Sequence, residues 1–263
     1  MSLIRRWFAG IPAYLWSGWG ALASLCLFVA AWEAVSLAYG SLLLPDPAAA
    51  FGKLFALADS GVAWPELAVT ARRAMTGLLL AILAGSVLGL LAGLSMTVSM
   101  MARPIVTVLL GTPPIAWLVL AMIWFGASDG TPVFTVLVAC FPVIFVGALQ
   151  GTRTLDHHLK DMATAFRLPW HMRLTDVYLP HVVSYLFPAW INALGNSWRV
   201  VVMAELLSSA DGIGAALAVA RSQLDMDAAL AWIAAVVLSL LAVEYLLLEP
   251  IKREVERWRN TER

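Results

Sequence analysis

Two ionisable residues, Arg199 and Glu205, fall within one apolar run, Val182–Leu207, and a third, Glu33, falls within the run Trp19–Tyr39. A charge at membrane depth is costly, so it faces either a partner charge or a wet cavity. Asn192, Asn196 and Trp198 surround Arg199 in the chain. Asn196 and Arg199 lie almost one helical turn apart and look the same way. Two readings stay open. In one, Asn192, Asn196, Arg199 and Glu205 line a polar pathway whose arginine attracts an anion. In the other, Arg199 is neutralised by Glu205 or Glu33 and the cluster is structural.

No catalytic signature is legible. The sequence holds no phosphate loop G-x-x-x-x-G-K-S/T, no H-E-x-x-H and no G-x-S-x-G. Gly18-Trp19-Gly20 with Ala23 matches a dinucleotide fingerprint in letters only, because it precedes an apolar run rather than following a strand. The histidines His157, His158, His171 and His181 have no cysteine or paired acid at ligand spacing, so they read as solvated and no metal is expected. Cys26 and Cys140 lie in apolar runs and read as small buried hydrophobes.

The elements that hold these residues are membrane helices. Of 263 residues 61% are hydrophobic and 13% charged, and the 17 basic and 17 acidic residues cancel. That balance excludes a disordered chain and a nucleic-acid binder that relies on phosphate attraction. Apolar runs occur at about Trp19–Tyr39, Ala74–Met96, Pro104–Phe125, Pro132–Leu149, Val182–Leu207 and Ala228–Leu248, and about 20 residues suffice to span a bilayer. The expectation is an all-α polytopic membrane protein with about six spans and a single domain over 1–263. The first run is too long for a secretory signal and no small-x-small site follows it, so it reads as a retained anchor.

Lysine and arginine fix the orientation. Arg5, Arg6, Arg103, Arg153, Lys160, Arg167, Arg173 and the tail residues Lys252, Arg253, Arg257, Arg259 and Arg263 fall on one side. Lys53, Arg72, Arg73 and Arg221 fall on the other. This places both termini and the loop 150–181 in the cytoplasm. The segment 40–73 lies outside, where Pro45 and Pro47 precede Phe51, Leu54, Phe55 and Leu57 at near-helical spacing, as in a surface amphipathic helix.

Three local patterns shape the helices. Gly77, Ala81, Gly85, Gly89 and Gly93 recur every four residues, a small-residue face for close helix packing within or between subunits. Pro113-Pro114 removes two helix hydrogen bonds and predicts a kink or break in the third run. In the loop, Leu155, Leu159, Met162, Ala163 and Phe166 mark one face of a short helix, Asp156, Lys160 and Asp161 the other, and Pro169 ends it. Such a face needs its own membrane domain, lipid headgroups or a partner protein to cover it.

Several stretches resemble a family. Asp161-Met162-Ala163 … Leu179-Pro180 resembles the E-A-A … G … L-P motif of the membrane subunits of binding-protein-dependent ABC importers. Thr70-Ala71-Arg72-Arg73 … Gly77, Pro113-Pro114-Ile115-Ala116-Trp117 … Phe125-Gly126, Ala204-Glu205 … Gly212-Ile213-Gly214 and Glu256-Arg257-Trp258-Arg259 resemble its nitrate/sulfonate/taurine subgroup. The similarity runs from about residue 65 to the end. Asp161 replaces the motif glutamate and Arg167 its glycine. Arginine pays a steric cost at positive φ that glycine avoids, so the turn is expected to differ, with Pro169 supplying the break; such drift would suit one of two unequal permease subunits.

The resemblance implies a type I ABC-importer-like permease, not itself an enzyme, in a bacterial inner membrane. A second permease subunit, identical or different, would complete a pore for a small anionic solute. Two cytoplasmic ABC ATPase subunits would bind ATP and Mg²⁺, leaving this chain without a cofactor of its own. They would receive the segment 155–168 of each permease, and a periplasmic binding protein would deliver the solute. The coupling set would be Leu155, Leu159, Asp161, Met162, Ala163, Phe166, Arg167, Leu179 and Pro180. An ATP-independent channel or secondary carrier is the alternative; it would be favoured by inverted repeats, and the sequence shows none.

Overall fold

A computed structural model describes residues 23–24, 26–40, 44–154 and 157–244, with the side chains of 157–160 and 174 outside that description. Leu155 and the tail therefore lie outside the described residues, and so does the side chain of Leu159. Among the described residues the elements are helical. They run α1 (Cys26–Tyr39), α2 (Pro47–Asp59), α3 (Ala63–Leu94), α4 (Met96–Gly111), α5 (Pro114–Phe125), α6 (Gly130–Arg153) and α7 (His157–Ala165). A short turn α8 (Trp170–Met172) and a π-helical stretch (Arg173–Tyr178) follow, then α9 (Leu179–Ser208), α10 (Ile213–Ser222) and α11 (Met226–Val243). The chain is an all-α, multi-pass membrane protein.

Three helices, α3, α6 and α11, are each long and apolar enough to cross a bilayer. Two bent pairs, α4 with α5 and the stretch ending in α9 with α10, add up to two more. Pro113-Pro114 produces a break of 92° between α4 and α5 rather than a gentle kink. Thr112 and Pro113 are both extended there, and Pro114 opens α5 at the position where a missing N–H costs least. The segment 40–73 divides: α2 is the short amphipathic helix, capped by the Asp46 side chain on the Ala49 N–H, whereas residues 63–73 are already part of α3.

The centre is a slab of α3, α6 and α9, with a core of Ala74, Leu78, Ala81, Val136, Cys140, Ile144, Ala193 and Trp198 among others. The small-residue face of α3 is spent inside the chain, against α6. A Cβ on Gly77 would sit 2.7 Å from Val136 Cβ, and one on Gly89 would sit 2.6 Å from Ala148 Cβ. Gly85 meets Ile144, Gly93 meets Thr152, and Ala81, between Gly77 and Gly85, is fully buried. On the far side of α6, a Cβ on Gly147 would lie 2.7 Å from Ala189 Cβ of α9. Backbones this close maximise dispersion where no water drives association. Outward, α3 presents Leu79, Leu80, Leu83 and Leu91 to the surroundings, as a bilayer permits. Cys26 belongs to that outward set: it is exposed on α1, which corrects the reading of it as a buried hydrophobe, while Cys140 is buried.

Candidate functional site

The membrane-depth charges separate into two places. Glu205 does not meet Arg199. Six residues on along α9, it turns to the opposite face, is fully buried, and takes Arg73 Nη1 of α3 at 3.0 Å. Thr70 Oγ1 donates to Glu205 Oε2 at 2.8 Å and the Gly214 N–H to the same oxygen at 3.1 Å. Arg73 is itself 3% exposed. Its Nε donates to Asp129 Oδ1 at 2.9 Å, its Nη1 to the Asp211 carbonyl at 2.7 Å, and its Nη2 to the Asp211 carboxylate. Arg72 adds a 2.6 Å contact to the other oxygen of Asp129.

This knot fastens three elements at one end of the slab: α3, the turn before α6 and the joint between α9 and α10. The Ile213 N–H donates to Thr70 Oγ1 at 2.9 Å and the Gly212 N–H to Glu66 Oε2 at 2.5 Å, so α3 side chains also hold the start of α10. Gly212 has φ +96°, and a side chain there would run into the Glu205 carboxylate. Asp129, half exposed outside the spans, is held below the usual carboxylate range chiefly by its hydrogen bond from Arg73. Three carboxylates around one buried arginine fork use the donor geometry that lysine lacks.

Charge counting places Arg73 merely on the side opposite the loop 150–181 and does not join it to Glu205. The signal was present in α3. Glu66, Thr70 and Arg73 stand at i, i+4 and i+7, and Gly77, Ala81 and Gly85 continue the same stripe. One face of α3 is thus polar for two turns and then bare.

Arg199 is the contrasting case. It is exposed on α9 and makes no ion pair among the described residues; Glu33, its other sequence candidate, is exposed on α1. Both ion-pair alternatives are therefore corrected. Arg199 lines a concavity of about 220 Å³ between α9 and α11 with Asn192, Gly195, Asn196, Leu240, Val243 and Glu244. Asn192 is exposed and Asn196 half-buried. Trp198, next to Arg199, is buried and donates to Ser239 Oγ at 3.1 Å, which fixes α9 on α11 beside the concavity. An exposed guanidinium flanked by two amides has donors free for an acceptor group, and the Glu244 carboxylate is the one acid in the same lining.

At the other end of the slab, α7 is followed by a tight turn. Arg167 has φ +49°. The Arg167 N–H reaches the Thr164 carbonyl at 3.0 Å and the Leu168 N–H the Ala163 carbonyl at 3.0 Å. These are the paired bonds of a glycine-type helix end. The turn expected to differ at Arg167 is thus kept in its left-handed form, and the arginine carries the strain. Leu168 and Tyr178 close over Ala163 and Val177 in a small core of their own, and Arg173 Nε ties to the Leu168 carbonyl at 2.9 Å. Among the described side chains of the predicted coupling set only Ala163 points inward. Asp161, Met162, Phe166, Leu179 and Pro180 are exposed, Phe166 at 74%. Among the described residues no group of three or more His, Cys, Asp or Glu could hold a metal ion.

Comparison with known proteins adds an independent line. Residues 77–249 match the family described as the inner membrane component of binding-protein-dependent transport systems. The taurine transport system permease protein TauC of Escherichia coli is 28% identical over 244 residues, covering 90% of this chain and 88% of that protein. The aliphatic sulfonates transport permease protein SsuC of Bacillus subtilis, a putative assignment by its own name, is 29% identical over 83% of this chain and 79% of its own length. The nitrate import permease protein NrtB of Leptolyngbya laminosa is 31% identical over 156 residues, and that match spans 59% of this chain and 56% of the relative.

Proposed function

The chain belongs to the inner membrane components of binding-protein-dependent transport systems, and from that premise we propose that it forms half of the pore of an ATP-driven importer for a small anionic solute of the sulfonate, nitrate or taurine kind. Residues 1–263 then act as one permease domain, and a second permease subunit, identical or not, completes the pore. A periplasmic binding protein supplies the solute. ATP and Mg²⁺ belong to two cytoplasmic ATPase subunits, with no cofactor on this chain.

The observation that carries the reading is Arg199: exposed, unpaired among the described residues and flanked by Asn192 and Asn196 in a concavity on an apolar helix. In this reading those three residues line the pathway, and Glu205 serves the knot. The α7 segment carries the ATPase contact. Met162 and Phe166 provide the exposed apolar surface, and Asp161, Arg167, Leu179 and Pro180, with Leu155 and Leu159, complete the coupling set. The excess of basic residues on the loop side supports cytoplasmic placement of that loop and of both termini. Closure of the ATPases would move α7 as a rigid body, and the pore helices would be the two-state element it biases.

Co-expression with the genomic neighbours followed by native mass spectrometry tests the assembly. Two ATPase copies with two permease chains support it, and the masses distinguish a homodimer from a heterodimer. A chain that stays free of ATPase favours a channel or carrier instead. Arg199→Met tests the site, with anion uptake expected to fall about tenfold while the assembled complex is recovered in normal yield.

A further inference from the structure

A second concavity, of about 360 Å³, opens between α4 and α6 at the end of the slab that carries α7. Its lining is graded. Arg103, Arg153 and Thr154 stand toward that end, while Val106, Leu110 and Phe145 lie toward the middle of the helices. At 1.5 Å per residue, Arg103 to Leu110 and Arg153 to Phe145 each cover about 10–12 Å. The cleft is therefore basic at one end and mostly apolar along its length, with Thr107 and Gln150 as uncharged polar groups between.

The two arginines are not neutralised. Arg153 Nη1 donates to Ser99 Oγ at 2.7 Å and Nη2 reaches Met96 sulfur, both uncharged. The Arg103 side chain makes no hydrogen bond or ion pair among the described residues, and no carboxylate lines the cleft. This is the reverse of the Arg73 knot, where every guanidinium nitrogen meets a carboxylate.

Two guanidiniums above an apolar slot match one ligand chemistry in a bilayer: a phosphate-bearing headgroup with an acyl chain. We propose that this cleft binds one anionic phospholipid, its phosphate held by Arg103 and Arg153 and one acyl chain laid along Val106, Leu110 and Phe145. Arg153 is then both the strut that fixes the end of α6 to the start of α4 and the anchor of the headgroup. The neutral partners Ser99 and Met96 orient it without quenching its charge. Because Arg153 is the last residue of α6, directly ahead of the α7 segment, the bound lipid sits where it stiffens the root of that segment.

The test uses the full chain in its assembled complex, purified from vesicles of phosphatidylcholine with a minor fraction of phosphatidylglycerol, and native mass spectrometry of retained lipid. Wild type is expected to keep one phosphatidylglycerol per chain. Arg103→Gln, which breaks no bond within the described structure, is expected to lower that retention about fivefold, and Arg103→Lys to restore most of it. Leu110→Trp, which fills the slot, is expected to lower retention of the lipid. Equal retention of phosphatidylcholine and phosphatidylglycerol would overturn the proposal. So would displacement by glycerol phosphate as effective as by intact lipid, since that leaves the slot without a role. A photo-crosslinking residue at position 110 that captures a second copy of the chain instead of lipid would overturn it as well.

Discussion

Arg73 and Arg199 are both arginines of long apolar helices, and the molecule treats them in opposite ways. Arg73 is buried under three carboxylates and a backbone carbonyl, on elements far apart in sequence. Arg199 is left open, with amides beside it and an apolar helix behind. A buried charge whose donors are all used is part of the scaffold, whereas one whose donors are free is available to a ligand, the role proposed above for Arg199. Position in a span does not distinguish the two; the partner inventory does.

The contrast is sharpest under substitution. Arg73→Met should cost about 3–5 kcal/mol, because Glu205 is left buried without its cation, and thermal unfolding of the purified chain would show it. Arg73→Met with Glu205→Gln should recover a large part of that loss. If the double variant is no better than the single, the two residues are not a coupled pair. Arg73→Lys should fall between, since one ammonium cannot serve Asp129, Asp211 and Glu205 together. Arg199→Met should leave the unfolding midpoint nearly unmoved while uptake drops; a stability loss as large as that of Arg73→Met would make Arg199 a scaffold residue too and erase the comparison.

Smaller effects refine it. Arg167→Gly should stabilise the α7 turn by about 0.5–1 kcal/mol, because glycine accepts positive φ without the Cβ clash and offsets part of that gain in the unfolded chain. Slower hydrogen exchange at the Leu168 amide would register the change. The smallest concerns acid. The carboxyl of Asp129 is held low by Arg73, so its contribution is present above the ordinary carboxylate range and is lost as pH falls through its depressed folded value. Half exposed, it should contribute a few tenths of a kcal/mol. Asp129→Asn should flatten the low-pH limb of the stability profile, and an unchanged limb would assign acid sensitivity to other carboxylates.

Local patterns were legible in the sequence and long-range pairings were not. The period-four glycines of α3 and the Pro113-Pro114 break follow from backbone chemistry within a few residues, so spacing alone locates them. The partner of Glu205 lies 132 positions away, a distance that no periodicity bridges, and Arg199, the nearest cation in sequence, does not pair with it. Helix α10 was missed because Ile213–Ser222 is too short to register as a span and is set by tethering of its first N–H groups to Glu66, Thr70 and Glu205. At Arg167 the rule about positive φ was sound but incomplete. The local cost of about 1–2 kcal/mol is met by two helix-end backbone bonds and by the packing of Leu168 and Tyr178 over Ala163 and Val177.

The seam between α3 and α6 also has a mechanical meaning. Where two rods are separated by a layer of flexible side chains, each bends on its own and the layer shears. With glycine at Gly77, Gly85, Gly89 and Gly93 there is no such layer, so the two helices form one laminated beam whose resistance to flexure exceeds the sum of its parts. That beam runs from the carboxylate-bound arginine at one end to Arg153 at the other. A load applied at either end is carried to the opposite end instead of dissipating along the way.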